Sequence, residues 1–283
     1  MTDFFSPDPL PPGTRVACRL EYDGSRYHGW QIQHHLDVPT VQQTLEAALS
    51  QVAGADVRVH SAGRTDTGVH ACAQVVHFDA PVSRSPKAWV LGGNASLPFD
   101  VRLHWALPVP EDFHARFSAI WRRYRYIIAN TGVRPAHLNA QVTWYRQPLD
   151  AGRMQRAAQC LLGEQDFSAF RAAACQSASP HRNVQAVSVR RCGPLVVIDI
   201  RANAFLHHMV RNIAGSLLAV GSGRRHDGWL AELLAGRDRN RAADTAPPDG
   251  LYLVDVGYPG RFALQPTPEG PLVLAAVSAA AAP

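Results

Sequence analysis

Three segments of the 283-residue chain carry side chains that can do chemistry. AGRTDTGVHA, residues 62–71, sets a carboxylate, Asp66, between Thr65 and Thr67, with Arg64 two residues before it and Gly63 and Gly68 on either side. Glycines let a backbone turn tightly or approach a ligand closely. A carboxylate on such a loop can act as a nucleophile or shield a positive charge that develops in a reaction. Taken alone, the same residues also describe a polar loop whose aspartate closes a turn. WRRYRYIIAN, residues 121–130, carries Tyr124, which is either a face for stacking or a core aromatic. NAFLHHMVRN, residues 203–212, holds Arg211, which can pair with a carboxylate or face solvent on an amphipathic helix.

Strand-like and helix-like segments must position these groups. Polarity alternates over Arg15–Glu21, the run from Trp121 and Leu195–Ala202, and predicts strands there; further strands are expected over Asp56–Ser61, Gln74–Phe78, Asp100–Leu107, Asn183–Arg190 and Leu251–Gly257. Helices are expected from Pro39 or Thr40, over Ser85–Asn94, Ala151–Leu162, Phe205–Val220 and Asp227–Leu234. The Asp66 loop then joins two strands. The pattern favours an α+β fold with mainly antiparallel sheets. A passage between halves is expected near Val109–His114, giving residues 1–113 and 114–283. Arg122, Tyr124, Tyr126 and Ile128 should share one strand face, and Val197, Asp199, Arg201 and Asn203 another. These two polar faces suggest a groove lined by sheet from both halves. On the helix after Phe205, His207, Arg211 and Gly215 should flank an apolar stripe.

Composition narrows the function classes. Apolar residues make up 46% and charged residues 18%, too apolar for a disordered chain. The net charge is +5, and 27 of the 28 basic side chains are Arg, with Lys87 the exception. Guanidinium suits bidentate contact with phosphate, so a polyanionic partner becomes the favoured one. The Arg clusters at 122–125, 190–191 and 224–225 are either solvated faces or phosphate contacts. Five cysteines without a CxxC pair do not make a disulfide scaffold. No apolar run approaches the ~20 residues of a membrane span. An acidic residue stands near the start, where a secretory signal would be basic, and a cytoplasmic protein is expected. His28, His34, His35, His207 and His208 match no zinc spacing with cysteine partners, so no metal is expected. GSGR at 221–224 reads as a helix end and turn. The Pro-rich residues 1–13 and the Ala-rich end are expected to be loosely held.

AGRTDTGVHA resembles the catalytic signature of the TruA-type tRNA pseudouridine synthases, usually written GRTDAGVHA. EYDGSRYHGWQIQ at 21–33, RRYRYII at 122–128, DFSAF at 166–170 and NAFLHHMVRN resemble that family's other segments, in the same order. The likeness spans roughly residues 15–258, and Thr67 departs from it where Ala is usual.

The resemblance implies a pseudouridine synthase fold of two similar halves meeting at a central basic cleft. It implies isomerisation of uridine to pseudouridine in the tRNA anticodon stem–loop, at positions 38, 39 and 40. No cofactor is needed, because nothing is oxidised or hydrolysed. A homodimer is implied too, which suits recognition of RNA by shape. Asp66 matches the catalytic carboxylate and Arg211 the arginine that pairs with it. Tyr124 matches the active-site tyrosine on which a flipped uracil stacks. Arg64 matches the arginine that holds the flipped nucleotide or fills its place; a surface arginine neutralising phosphate is the alternative. Attack at C1′, addition at C6 and elimination through a glycal all fit a carboxylate at Asp66. Two other readings compete: a tRNA chaperone without catalysis, and a nucleoside hydrolase or RNA glycosylase that releases free uracil.

Overall fold

The computed structural model describes residues 5–33, 36–266 and 270–274. The chain divides into two units, residues 1–120 with 253–268 and residues 121–252 with 269–283. The division expected after residue 113 therefore falls later. Phe113 is fully buried, with its ring against His77, Tyr258 and Phe262, and this ties the segment after it to the first unit.

In the first unit, β1 (Arg15–Tyr22) is followed by α1 (Val41–Ala53), β2 (His60–Ser61), β3 (His70–Asp79), α2 (Pro86–Ser96) and β4 (Val101–Pro108). β1 lies between β4 and β3, antiparallel to both, and β2 pairs with β3. Thr40 and Ser85 cap the two helices through their hydroxyls, which satisfies first-turn N–H groups. α1 buries Val41, Leu45, Ala48 and Leu49, the stripe expected from spacing. α2 sets Trp89 edge-on against Phe78 of β3, centroids 5.0 Å apart. Only His60–Ser61 of the strand expected over 56–61 forms, whereas β3 starts at His70, inside the 62–71 motif. Residues 10–13 are not loose: Leu10 N donates to Arg84 O and Gly13 N to Ala80 O. The expectations for His34, His35 and the chain from residue 275 lie outside the described residues.

The second unit begins with β5 (Trp121–Ala129) and β6 (Thr143–Trp144), then α3 (Ala151–Ala158), β7 (Gly163–Asp166), β8 (His181–Cys192), β9 (Leu195–Ala202), α4 (Met209–Gly221) and α5 (Trp229–Gly236). Its sheet runs β5-β9-β8-β7, antiparallel throughout, with β6 beside β5 in parallel. β10 (Leu251–Gly257) returns the chain to the first unit. Both units thus repeat strands and helices in an α+β arrangement with mostly antiparallel pairing.

The β5–β9 register corrects one expectation. Tyr124 pairs with Ile200 and Arg125 with Asp199. Directly opposed residues share a face, so the Tyr124 face and the Asp199 face lie on opposite sides of one sheet and cannot line a common groove. Neither is an open polar face: Tyr126, Arg125 and Asp199 are all buried. Asp199 receives Nε and an NH2 group of Arg123 at 2.8 and 2.7 Å, and Nε of Arg125 at 2.8 Å. Burial would raise its pKa, but these bonds hold it below the usual carboxylate range. Arg123 and Arg125 are therefore structural cations and not phosphate contacts. Asp199→Ala leaves a buried guanidinium uncompensated and should cost about 3–5 kcal/mol, read as a fall in the denaturant midpoint.

In the first unit, burial and the neighbouring His114, His60 and Arg15 push His77 down to about 4 from 6.5. The unfolded chain then binds the proton more tightly than the folded one. The stabilising contribution is present above pH 6.5 and is lost as pH falls through about 4. His77 Nδ1 accepts from Ala115 N at 3.1 Å. Thermal melts of His77→Asn, whose amide can still accept, should show a shallower loss of Tm over that window than the parent.

Candidate active site

The loop that carries Asp66 is pinned by the segment after β1 on one side and by β3 on the other. Trp30 N donates to Thr65 O at 3.0 Å, and Gln74 Nε2 donates to Gly63 O at 2.7 Å. Val69 N closes a turn onto Asp66 O at 3.1 Å, and Gly68, at φ +78, supplies the left-handed residue within it. Tyr22 and Thr65 share a hydroxyl hydrogen bond of 2.8 Å, with both side chains buried. His70 Nδ1 lies 3.1 Å from Gly24 N and 3.2 Å from Asp23 Oδ1, within reach of both.

Two glycines make this approach feasible. A Cβ on Gly24 would lie 2.0 Å from Val69 O, and one on Gly29 would lie 2.8 Å from Thr65 O, where φ is already +84. Family likeness alone assigns no role to the residues of EYDGSRYHGWQIQ, 21–33. Its alternating glycines and aromatics were the available signal: glycines where backbones touch, rings where the loop needs a floor. Tyr22 and Trp30 are that floor, both buried and 6.0 Å apart.

Asp66 is half-buried on this loop, while Arg64 and Thr67 are exposed. The added methyl and hydroxyl of Thr67, relative to Ala, therefore face solvent. Arg64 and Asp66 lie in the first unit, and Tyr124 and Arg211 in the second.

Tyr124 and Arg211 belong to one neighbourhood of the second unit. Tyr124 is 9% exposed and meets Phe205 edge-on, at 5.1 Å and 84°. Tyr126, two residues along on the same face, shares a hydrogen bond with Thr143 and donates to Pro247 O at 2.8 Å. Burial pushes its phenol up, and the nearby Arg211 partly opposes that rise. α4 is shorter than expected. His208 adopts φ +61, so the helix starts at Met209 and His207 precedes it. α4 is also not amphipathic, since all its residues but Arg211 are buried. Arg211 Nε donates to Ala246 O at 2.8 Å, and Ala246 N returns a bond to Arg211 O. One turn later a Cβ on Gly215 would lie 2.0 Å from Asp244 O. Arg211 and Gly215 thus share the face packed against residues 244–246, as their spacing predicted.

Asn212, DFSAF and GSGR prove structural. Asn212 is fully buried; its amide donates to Phe170 O at 2.7 Å and accepts from Thr245 Oγ1 at 2.7 Å and Arg239 at 3.1 Å. DFSAF supplies Phe167, Ala169 and Phe170 to the core. GSGR closes α4, with Gly223 at φ +77.

A family model described as tRNA pseudouridine synthase matches residues 19–118 and 157–259. The chain belongs to the tRNA pseudouridine synthase family. The matched stretches contain Arg64, Asp66 and Arg211, while Tyr124 falls between them. A tRNA pseudouridine synthase A of Escherichia fergusonii is 58% identical over 94% of this chain and 97% of its own. The enzyme of the same name from Escherichia coli O1:K1 gives the same figures. That of Salmonella paratyphi B is 59% identical over 93% and 97%. Among solved structures, a chain of a Cbf5-Nop10-Gar1 complex aligns over 90% of this chain and 56% of its own. Its TM-score of 0.37 at 12% identity carries no argument. The pseudouridine synthase family is an isomerase family, and its chemistry requires the reacting group to be held accurately.

Gly29→Ala tests that requirement. The added Cβ forces the backbone around Thr65 and Asp66 to move, and a misplacement near 1 Å can cost about 100-fold in rate. Turnover should fall by about that factor while tRNA affinity falls less, read by single-turnover kinetics beside filter binding.

Proposed function

We propose that this protein converts uridine to pseudouridine at positions 38, 39 and 40 of the tRNA anticodon stem–loop, with Asp66 as the catalytic carboxylate. The observation that carries the reading is the pinned GRTDTGVHA loop, in a chain 58% identical to a tRNA pseudouridine synthase A along nearly its whole length. The C1′–N1 bond breaks, the uracil turns, and C5 bonds to C1′. The hydrogen on C5 leaves as a proton and N1 takes one up, so the mass is unchanged.

A stacked uridine is shielded from a half-buried carboxylate, so the target nucleotide must leave the stack, at a cost of a few kcal/mol. Tyr124 gives the everted base an aromatic face, and such stacking is worth about 1–3 kcal/mol. Arg211 pairs with Asp66 and fixes its rotamer. Its anchoring to Ala246 supports that role, because a guanidinium already tethered through Nε loses less freedom on pairing. Arg64, exposed beside Asp66, occupies the place of the everted nucleotide or binds its phosphate. The protein acts as a cytoplasmic homodimer, one copy holding the body of the tRNA while the other offers Asp66. Among the described residues no helix is long and apolar enough to cross a membrane.

The test is tritium release from C5-labelled uridine in tRNA, with modified positions mapped. Wild type should release tritium at 38–40 with no free uracil, and Arg211→Ala should lose most activity. Free uracil would mark a glycosylase. Binding without release would mark a chaperone. Wild-type rates in Arg211→Ala would remove the ion pair from the mechanism.

A further inference from the structure

The turn before β5 presents an aromatic ring to solvent on a foundation of other rings. Phe117 is 75% exposed. Its ring lies on His114, centroids 4.3 Å apart at 33°. His114 in turn meets His77 at 4.6 Å and His60 at 5.4 Å, and His60 stacks on His77 at 5.0 Å. The Arg116 guanidinium lies 5.6 Å from the Phe117 ring centroid.

The backbone below this ring is tied at every step. His114 Nδ1 accepts from Arg116 N and Phe117 N at 3.1 and 3.3 Å. Ser118 Oγ accepts from His114 N at 2.9 Å. Ala115 donates to His77 Nδ1 and accepts from the Tyr258 hydroxyl at 2.6 Å. Exposing most of a phenyl ring forfeits burial, and an idle surface ring needs no such scaffold. Nδ1 of both His77 and His114 is occupied as an acceptor, and burial lowers the pKa of each, which favours the neutral imidazole at these two positions. The nearby carboxylates Asp79 and Asp112 are paired with Arg15 and Arg261. A preorganised ring with an exposed guanidinium lying over it suits a nucleobase and its phosphate, the arginine swinging off the ring to meet the phosphate as the base stacks.

We propose that Phe117, backed by His114 and flanked by Arg116, is a stacking platform for an unpaired base of the substrate tRNA, separate from the base that is isomerised. The proposal rests on the tRNA-modifying reading above. The platform adds affinity and orientation and takes no part in bond exchange.

Phe117→Ala, Phe117→Leu and Phe117→Tyr in the full chain test it, by tRNA filter binding, steady-state tritium release and sedimentation. Stacking by a single base predicts that Ala and Leu weaken tRNA binding and raise KM by about 5- to 100-fold, while kcat stays near wild type. Tyr should restore both. The loss should persist as salt rises, because stacking, unlike phosphate contact, releases no counterions. All three variants should melt with wild type, since the ring is solvent-exposed. Wild-type affinity in Ala and Leu overturns the proposal. So does a change of oligomeric state in Ala, which would assign the ring to a second copy of the chain. Absence of tritium release from wild type would sink the enzymatic reading, while the binding comparison would still judge the platform.

Discussion

The site depends on the close contact of two backbones, residues 22–30 and 62–70. Reactivity at a carboxylate needs a fixed approach, and a loop fixes nothing unless its own amides and carbonyls are spoken for. Here Thr65 O and Gly63 O are both acceptors, and the Thr65 hydroxyl is bonded to Tyr22. Side chains at positions 24 or 29 would hold the two segments apart. β1 leaves register with β3 between Leu20 and Tyr22, and Tyr22 is the residue that meets Thr65. The rest of the first unit keeps that meeting point still: α2 packs against β4 and α1, and the Phe113 cluster secures the exit.

The second unit solves a similar problem with a helix. An arginine in the role proposed for Arg211 must itself be held, or the entropy of its long side chain offsets the gain. Arg211 sits on a helix otherwise buried along its length, with its Nε on a backbone carbonyl. Gly215 lets residues 244–246 come close enough to supply that carbonyl. Asn212, beside Arg211, spends its amide on Phe170, Thr245 and Arg239. Asn212 is thus architectural, next to the residue proposed to pair with Asp66.

Much of this was legible in the sequence, for a physical reason. Helix starts at Thr40 and Ser85 and strands such as β9 follow from capping chemistry and alternation, which are local. What depends on partners distant in sequence was not. Arg123 and Arg125 read as a basic patch until β9 sets Asp199 against them. The polar faces of β5 and β9 looked like two walls of a groove, and only the pairing register reveals two sides of one sheet. Spacing places the start of α4 near Phe205, because it does not reveal a left-handed residue such as His208. The glycines at 24 and 29 were visible as letters, but their purpose needs the partner backbone.

The most direct measurement of the central claim is single-turnover isomerisation by Asp66→Asn, with tRNA affinity measured on the same preparation. The account predicts near-complete loss of C5 tritium release with tRNA binding retained. Turnover close to wild type in that variant would contradict it, because the amide keeps the shape of the carboxylate but loses its charge and one of its acceptor oxygens.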